Sequence, residues 1–79
     1  MLEVIKVYVS KQKADLIRDS VDYVTTFIYA HSIDELDTLE NIFVKDRRKN
    51  WHAYKLEHDP IHFLYVKYYY AKVKDGWIV

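Results

Sequence analysis

The spacing of apolar residues changes along this chain, and each change marks an expected element. Val4, Ile5, Val7, Tyr8 and Val9 form a short β-branched run broken by charge at Glu3 and Lys6, which predicts a strand over residues 2–9. From Lys11 the spacing turns helical. Ala14, Ile17, Val21, Val24 and Ile28 follow at steps of three or four, one stripe of an amphipathic helix with Ser10 placed to cap it, while Asp15, Asp19 and Asp22 keep helical spacing on another side. The second half of that stretch, Val24-Thr25-Thr26-Phe27-Ile28-Tyr29, is rich in strand formers, so a strand beginning after Ser20 is the alternative. The unbroken stripe favours helix through about Ala30.

His31-Ser32 reads as a turn, and Ser32 with Glu35 three positions on matches a capping box for a second short helix carrying Ile33, Leu36 and Leu39. Two such helices in succession predict an antiparallel hairpin. After Asn41, Ile42-Phe43-Val44 is expected to open a strand, Arg47-Arg48-Lys49-Asn50 to form a polar loop, and Trp51 to Glu57 to return as a second strand. A competing reading runs the second helix through Val44 into Arg48, since no Gly or Pro intervenes. His58-Asp59-Pro60 ends that strand, and Ile61 to Val73, apolar or aromatic on both alternating faces, predicts a central strand. Asp75-Gly76 signals a hairpin with Trp77-Ile78-Val79 as a short edge strand. The expected fold class is α+β: an N-terminal strand, a two-helix hairpin, then a three- or four-stranded antiparallel sheet, forming one domain over residues 1–79.

Composition narrows the function classes. One Gly and one Pro leave no linker or low-complexity tract, and the absence of Cys excludes disulfides and thiolate metal sites. In 79 residues, 51% apolar content and thirteen aromatic residues are needed to offset chain entropy, so aromatic richness has a plain packing explanation. Glu3 and Lys6 interrupt the amino terminus, no stretch approaches a membrane helix, and the chain is expected to be cytoplasmic, with no membrane association. Net charge is zero but unevenly divided. Residues 1 to 40 hold four basic and eight acidic side chains, a charge of −4, and residues 41 to 79 hold eight and four, a charge of +4.

The basic half also holds nine of the thirteen aromatic residues, and cations beside rings suit a surface that meets phosphates, bases or an acidic protein. The candidate binding residues are Lys45, Arg47, Arg48, Lys49, Trp51, Lys67, Tyr68, Tyr69 and Tyr70. Against this reading, Asp46 sits inside the cationic cluster, a charged turn also keeps a sheet edge soluble, and tyrosines of a small domain commonly fill its core. His58 and His62 have ligand-like spacing, but that spacing aligns imidazoles only on a helix and Pro60 lies between them, so no metal site is expected. Neither a phosphate-cradling glycine loop nor a nucleophile elbow is present, no acid and base pair stands out, and neither catalytic residues nor a cofactor are expected.

Small size and uneven charge point to a non-enzymatic interaction or accessory protein, of the sort phages and plasmids encode. It is expected to form a homodimer and to bind an acidic partner, protein or nucleic acid, through a basic and aromatic sheet side. The order strand, helical hairpin, antiparallel sheet also resembles that of the RelE/ParE family of small toxins, many of which cut messenger RNA on the ribosome with basic and aromatic side chains of the sheet. That resemblance implies, as the alternative, an RNA-directed protein, either a ribonuclease toxin or an RNA binder. The family is usually strongly basic and often relies on residues near its carboxyl end, whereas this chain is neutral and stops at Val79.

Overall fold

A computed structural model describes residues 2–45 and 50–78. In chain order the elements are β1 (Glu3–Val7), α1 (Lys11–Asp19), β2 (Tyr23–Ala30), α2 (Ile33–Glu40) continued by a π-helical turn (Asn41–Lys45), β3 (His52–Asp59), β4 (Leu64–Lys74) and β5 (Trp77–Ile78). The α+β class is the expected one. Ser10 caps α1 by accepting from the Lys13 amide at 3.2 Å, and Ser32 caps α2 by accepting from the Glu35 amide at 3.1 Å. Glu35 Oε2 reaches back past the cap and accepts from the His31 amide at 3.3 Å, one residue ahead of the Ser32 amide that a capping box would engage.

Two expected elements are corrected. Helix does not continue to Ala30. It stops at Asp19, Ser20 takes extended backbone, and residues 23–30 form a strand that pairs with β4 in unbroken register. The stripe misled because Val24 and Ile28, four apart, also lie on one side of a strand; the β-branched run Val24, Thr25, Thr26, Ile28 is stiff in a helix and finds a ladder in β4. β2 therefore stands between the two helices. The second correction concerns Ile42-Phe43-Val44, which continues α2 as a π-helical turn instead of opening a strand. Leu36, Glu40 and Val44 recur at steps of four and all three are buried, so staying helical carries Val44 into the core.

The sheet runs β1-β3-β4-β2, antiparallel throughout, with β5 paired to the end of β4. β4 is central, as its two-sided apolar pattern predicts. The turn into it is tied by Asp59, whose Oδ1 accepts from the amides of Ile61 and His62 at 3.0 and 3.3 Å. Gly76, at φ +83, closes the β4–β5 hairpin in the region that glycine adopts without strain.

Residues paired across antiparallel strands share a face, and the register sorts the side chains into two sets. Thr26, Ile28, Ala30, Ala53, Leu56, Lys67, Tyr69 and Ala71 lie on the face covered by α2. Tyr23, Thr25, Phe27, Tyr29, Glu57, Val66, Tyr68 and Tyr70 lie on the opposite face. A β-bulge between Ala53 and Lys55 interrupts the alternation, so that Tyr54 and Lys55 both reach this second face. α1 lies over part of it, with Lys13 Nζ 6.0 Å from the Tyr70 ring centre. The buried apolar core is Ile17, Ala30, Leu36, Val44, Val66, Tyr69 and Ala71.

Candidate docking face

Alternation on three neighbouring strands turns separate aromatic residues into one sheet of rings on the α1 side. Tyr54 of β3 lies 6.1 Å from Tyr68 and 5.9 Å from Tyr70 of β4, centre to centre. On the other flank of β4, Phe27 lies 6.2 Å from Tyr68, Tyr23 lies 5.8 Å from Tyr70, and Tyr29 stacks beside Phe27 at 6.2 Å. These offset and edge-on geometries are the ones that aromatic quadrupoles favour. α1 leaves the β2 end of the ladder open, where Phe27 is 54% and Tyr29 is 59% exposed.

Beside the ladder a cleft of about 510 Å³ runs between α1 and strands β1 and β3, its walls including Val4, Val7, Ala14, Arg18, Tyr54 and Tyr68. Lys55 Nζ stands 5.7 Å from the Tyr68 ring centre and 3.5 Å from Glu57 Oε2. Arg18 bonds Asp15 at 2.9 Å and reaches Asp19 at 3.5 Å. Burial, with the Glu57 carboxylate beside its hydroxyl, pushes the Tyr68 pKa up to about 12. Tyr54 is also raised, mainly by burial and further by Glu57, against the opposing pull of Arg18. Both phenols therefore stay protonated at neutral pH, with the one O–H of Tyr68 engaged by Glu57.

On the other face α2 is held against β4, and beside it an open cleft remains, lined by Val24, Ile28, Phe43 and Trp51 among others. Glu40, 7% exposed, accepts from the Tyr69 hydroxyl at 2.5 Å and holds Lys67 Nζ at 2.6 Å. Burial depresses the Lys67 pKa, but its contacts with Glu40 and Tyr8 outweigh that and leave it raised. Burial and the same carboxylate push Tyr69 well above the ordinary phenol range. This is a structural ion pair that fastens α2 to β4.

The nine candidate residues are thus divided. Tyr68 and Tyr70 share the ring ladder, whereas Lys67 and Tyr69 point to the α2 face and are held by Glu40. Trp51 is half-buried just ahead of β3, Lys45 closes the π-helical turn, and Arg47, Arg48 and Lys49 lie outside the described residues. Phe27, Tyr29, Tyr23 and Tyr54 join the ladder without having been singled out in the sequence. The signal for the three on β2 was the alternation Tyr23, Thr25, Phe27, Tyr29, visible once residues 23–30 are read as a strand, whereas Tyr54 reaches this face through the bulge in β3. His58 stacks on Tyr65 at 4.3 Å while His62 pairs with Asp59 at 2.7 Å. Among the described residues, no three His, Cys, Asp or Glu side chains are grouped to hold a metal, and no helix is long and apolar enough to cross a membrane.

The sheet order sets the C-terminal strands β3 and β4 between the N-terminal strands β1 and β2, so the −4 and +4 halves of the sequence do not become two ends of the molecule. No family model, curated protein or solved structure matches the chain.

Proposed function

We propose that this is a non-enzymatic interaction protein, acting as a homodimer, whose α1-side sheet face docks an acidic protein segment. The observation that carries the reading is the open end of the ring ladder, with Phe27 and Tyr29 more than half exposed on one flank of Tyr68 and the Lys55 ammonium over that ring from the other flank. Exposed aromatic patches of this kind supply contact area at low entropic cost, and cations beside them select for negative charge. Because Arg18 and Lys55 already face acids of their own chain, the rings provide most of the affinity and the charges mainly its specificity.

A titration followed by amide chemical shifts tests this. An acidic peptide containing apolar anchors is expected to shift Phe27, Tyr29, Tyr54 and Tyr68, and Phe27→Ala with Tyr29→Ala to weaken binding at least about tenfold. Shifts confined to other surfaces, or none at millimolar peptide, defeat the proposal.

A second reading, RNA binding by base stacking on the same ladder, draws on the adjacency of rings and lysines. It expects the same four residues to respond to a single-stranded RNA oligonucleotide at low salt, and expression of the intact protein to slow growth if it is a toxin. No gel shift with such an oligonucleotide at low salt removes it.

A further inference from the structure

The two edges of the sheet are built differently. β1 is five residues long, carries Glu3 and Lys6, and is bulged between Val4 and Lys6, all features that discourage a further strand from adding. β2 has none of them. Its eight residues, Tyr-Val-Thr-Thr-Phe-Ile-Tyr-Ala, hold no charge and no proline, run without a bulge, and pair only with β4 among the described residues.

The register shows which backbone groups β2 leaves outward. Val73 donates its amide to the Asp22 carbonyl at 2.7 Å, which makes that opposed pair a hydrogen-bonded one. Carried along the unbroken ladder, the alternation gives residues 24, 26, 28 and 30 to β4. Tyr23, Thr25, Phe27 and Tyr29 then direct both N–H and C=O away from the sheet. These four residues also carry their side chains on the ring-lined face, so the free backbone edge and the exposed rings coincide.

We infer that β2 pairs antiparallel with β2 of a second copy of this chain, joining two sheets into one continuous sheet across a twofold axis. A twofold perpendicular to the sheet keeps each face on its own side and can pass through Thr26. It then sets Thr25 opposite Phe27 of the partner subunit and Tyr23 opposite Tyr29 of the partner subunit, each pair repeated by symmetry. All four outward residues thereby meet outward residues, and the four pairs each exchange two hydrogen bonds. Val24 falls opposite Ile28 of the partner subunit on the α2 side. No charge is buried anywhere along the seam, and the half-exposed Phe27 and Tyr29, which face Tyr68 and Val66 on their inner side, gain cross-strand neighbours on their outer side. The strand is its own complement, which is the argument for a second copy over a foreign strand. This inference rests on the homodimeric part of the proposed function and is independent of the acidic partner.

Sedimentation velocity of the full chain from about 1 to 200 μM tests it, with Thr25→Lys placing a cation on the seam and Val4→Lys placing one near the β1 edge. A concentration-dependent dimer that Thr25→Lys weakens at least about tenfold and Val4→Lys leaves unchanged is the expected result. Wild-type protein that stays monomeric throughout, or a dimer indifferent to Thr25→Lys, overturns it. Should Thr25→Lys fail to fold, amide exchange of the wild type decides: in the dimer the amides of Tyr23, Thr25, Phe27 and Tyr29 slow at least about tenfold relative to dilute protein, while those of residues 24, 26, 28 and 30 are protected in both. Equal exchange of the four at both concentrations refutes the seam. A monomer that still binds acidic peptide counts against the seam and the homodimer but leaves the docking reading standing, and a β2-seamed dimer that binds no peptide counts against the docking reading alone.

Discussion

Replacing Lys67 by Met strips a cation from a carboxylate that is 7% exposed, while keeping the length of the side chain. Breaking a buried ion pair from one side typically costs about 3–5 kcal/mol, because the remaining charge is left in a poorly solvated place. Here the Tyr69 hydroxyl continues to donate to Glu40, so the lower end, about 3 kcal/mol, is expected. At roughly 0.05–0.15 kcal/mol per residue, a domain of this size has about 4–12 kcal/mol in total, so the variant loses a quarter or more of its stability. Tyr69→Phe, which removes one hydrogen bond to a charged group, costs about 1.5–3 kcal/mol. Combining Lys67→Met with Glu40→Gln removes both charges and recovers much of the loss, since an apolar or neutral replacement of a whole buried pair is often close to neutral. Urea unfolding followed by far-ultraviolet circular dichroism at 25 °C reads Tyr69→Phe beside wild type, Lys67→Met, Glu40→Gln and the double variant, and the last four form the cycle that isolates the coupling. A Lys67→Met variant within about 0.5 kcal/mol of wild type, or a double variant as weak as the sum of its single changes, refutes the view that this pair fastens α2 to β4.

Alkaline titration offers a second check. Tyr68 holds its proton to about pH 12 in the folded state, while an unfolded tyrosine ionises near 10. A raised native pKa stabilises fully below the unfolded value and is lost as pH rises through the native one, so the urea midpoint falls between about pH 10 and 12 and Tyr68→Phe shallows that fall. Ser32→Ala removes the cap on the Glu35 amide and costs about 1 kcal/mol, read as a Tm lower by about 4–8 °C; an unchanged Tm contradicts the capping assignment. At Gly76 an added Cβ meets nothing within 4 Å, so Gly76→Ala is penalised by its φ of +83 alone, about 1 kcal/mol, with faster amide exchange confined to the β4–β5 hairpin.

The elements that were legible in the sequence are those with a local cause. Ser10, the Ser32–Glu35 box, Pro60 and Asp75-Gly76 each act on backbone within a few residues, and each is found at the boundary it signals. Residues 23–30 were legible only as an alternative, from their run of strand formers, because the partner that decides for a strand is β4, some forty residues away in the chain. The same long-range pairing hid half of the candidate face. Lys67 and Tyr69 read as surface candidates by type, but only the position of α2 shows that Glu40 meets them. Charge along the chain likewise says little of charge in space when the strand order interleaves the two halves.

The bulge at Tyr54 acts on β3 as an inserted letter acts on a reading frame. Ahead of it His52 and Ala53 alternate in one phase, and beyond it Lys55, Leu56 and Glu57 resume as though Tyr54 were not there. Deleting Tyr54 therefore removes one ring and leaves every other side chain of the strand on its own side, whereas losing any single residue from Leu56 to His58 swaps inside for outside over part of the strand. The Tyr54–Lys55 bulge is the place in β3 where the chain can lose one residue without rewriting what each face displays.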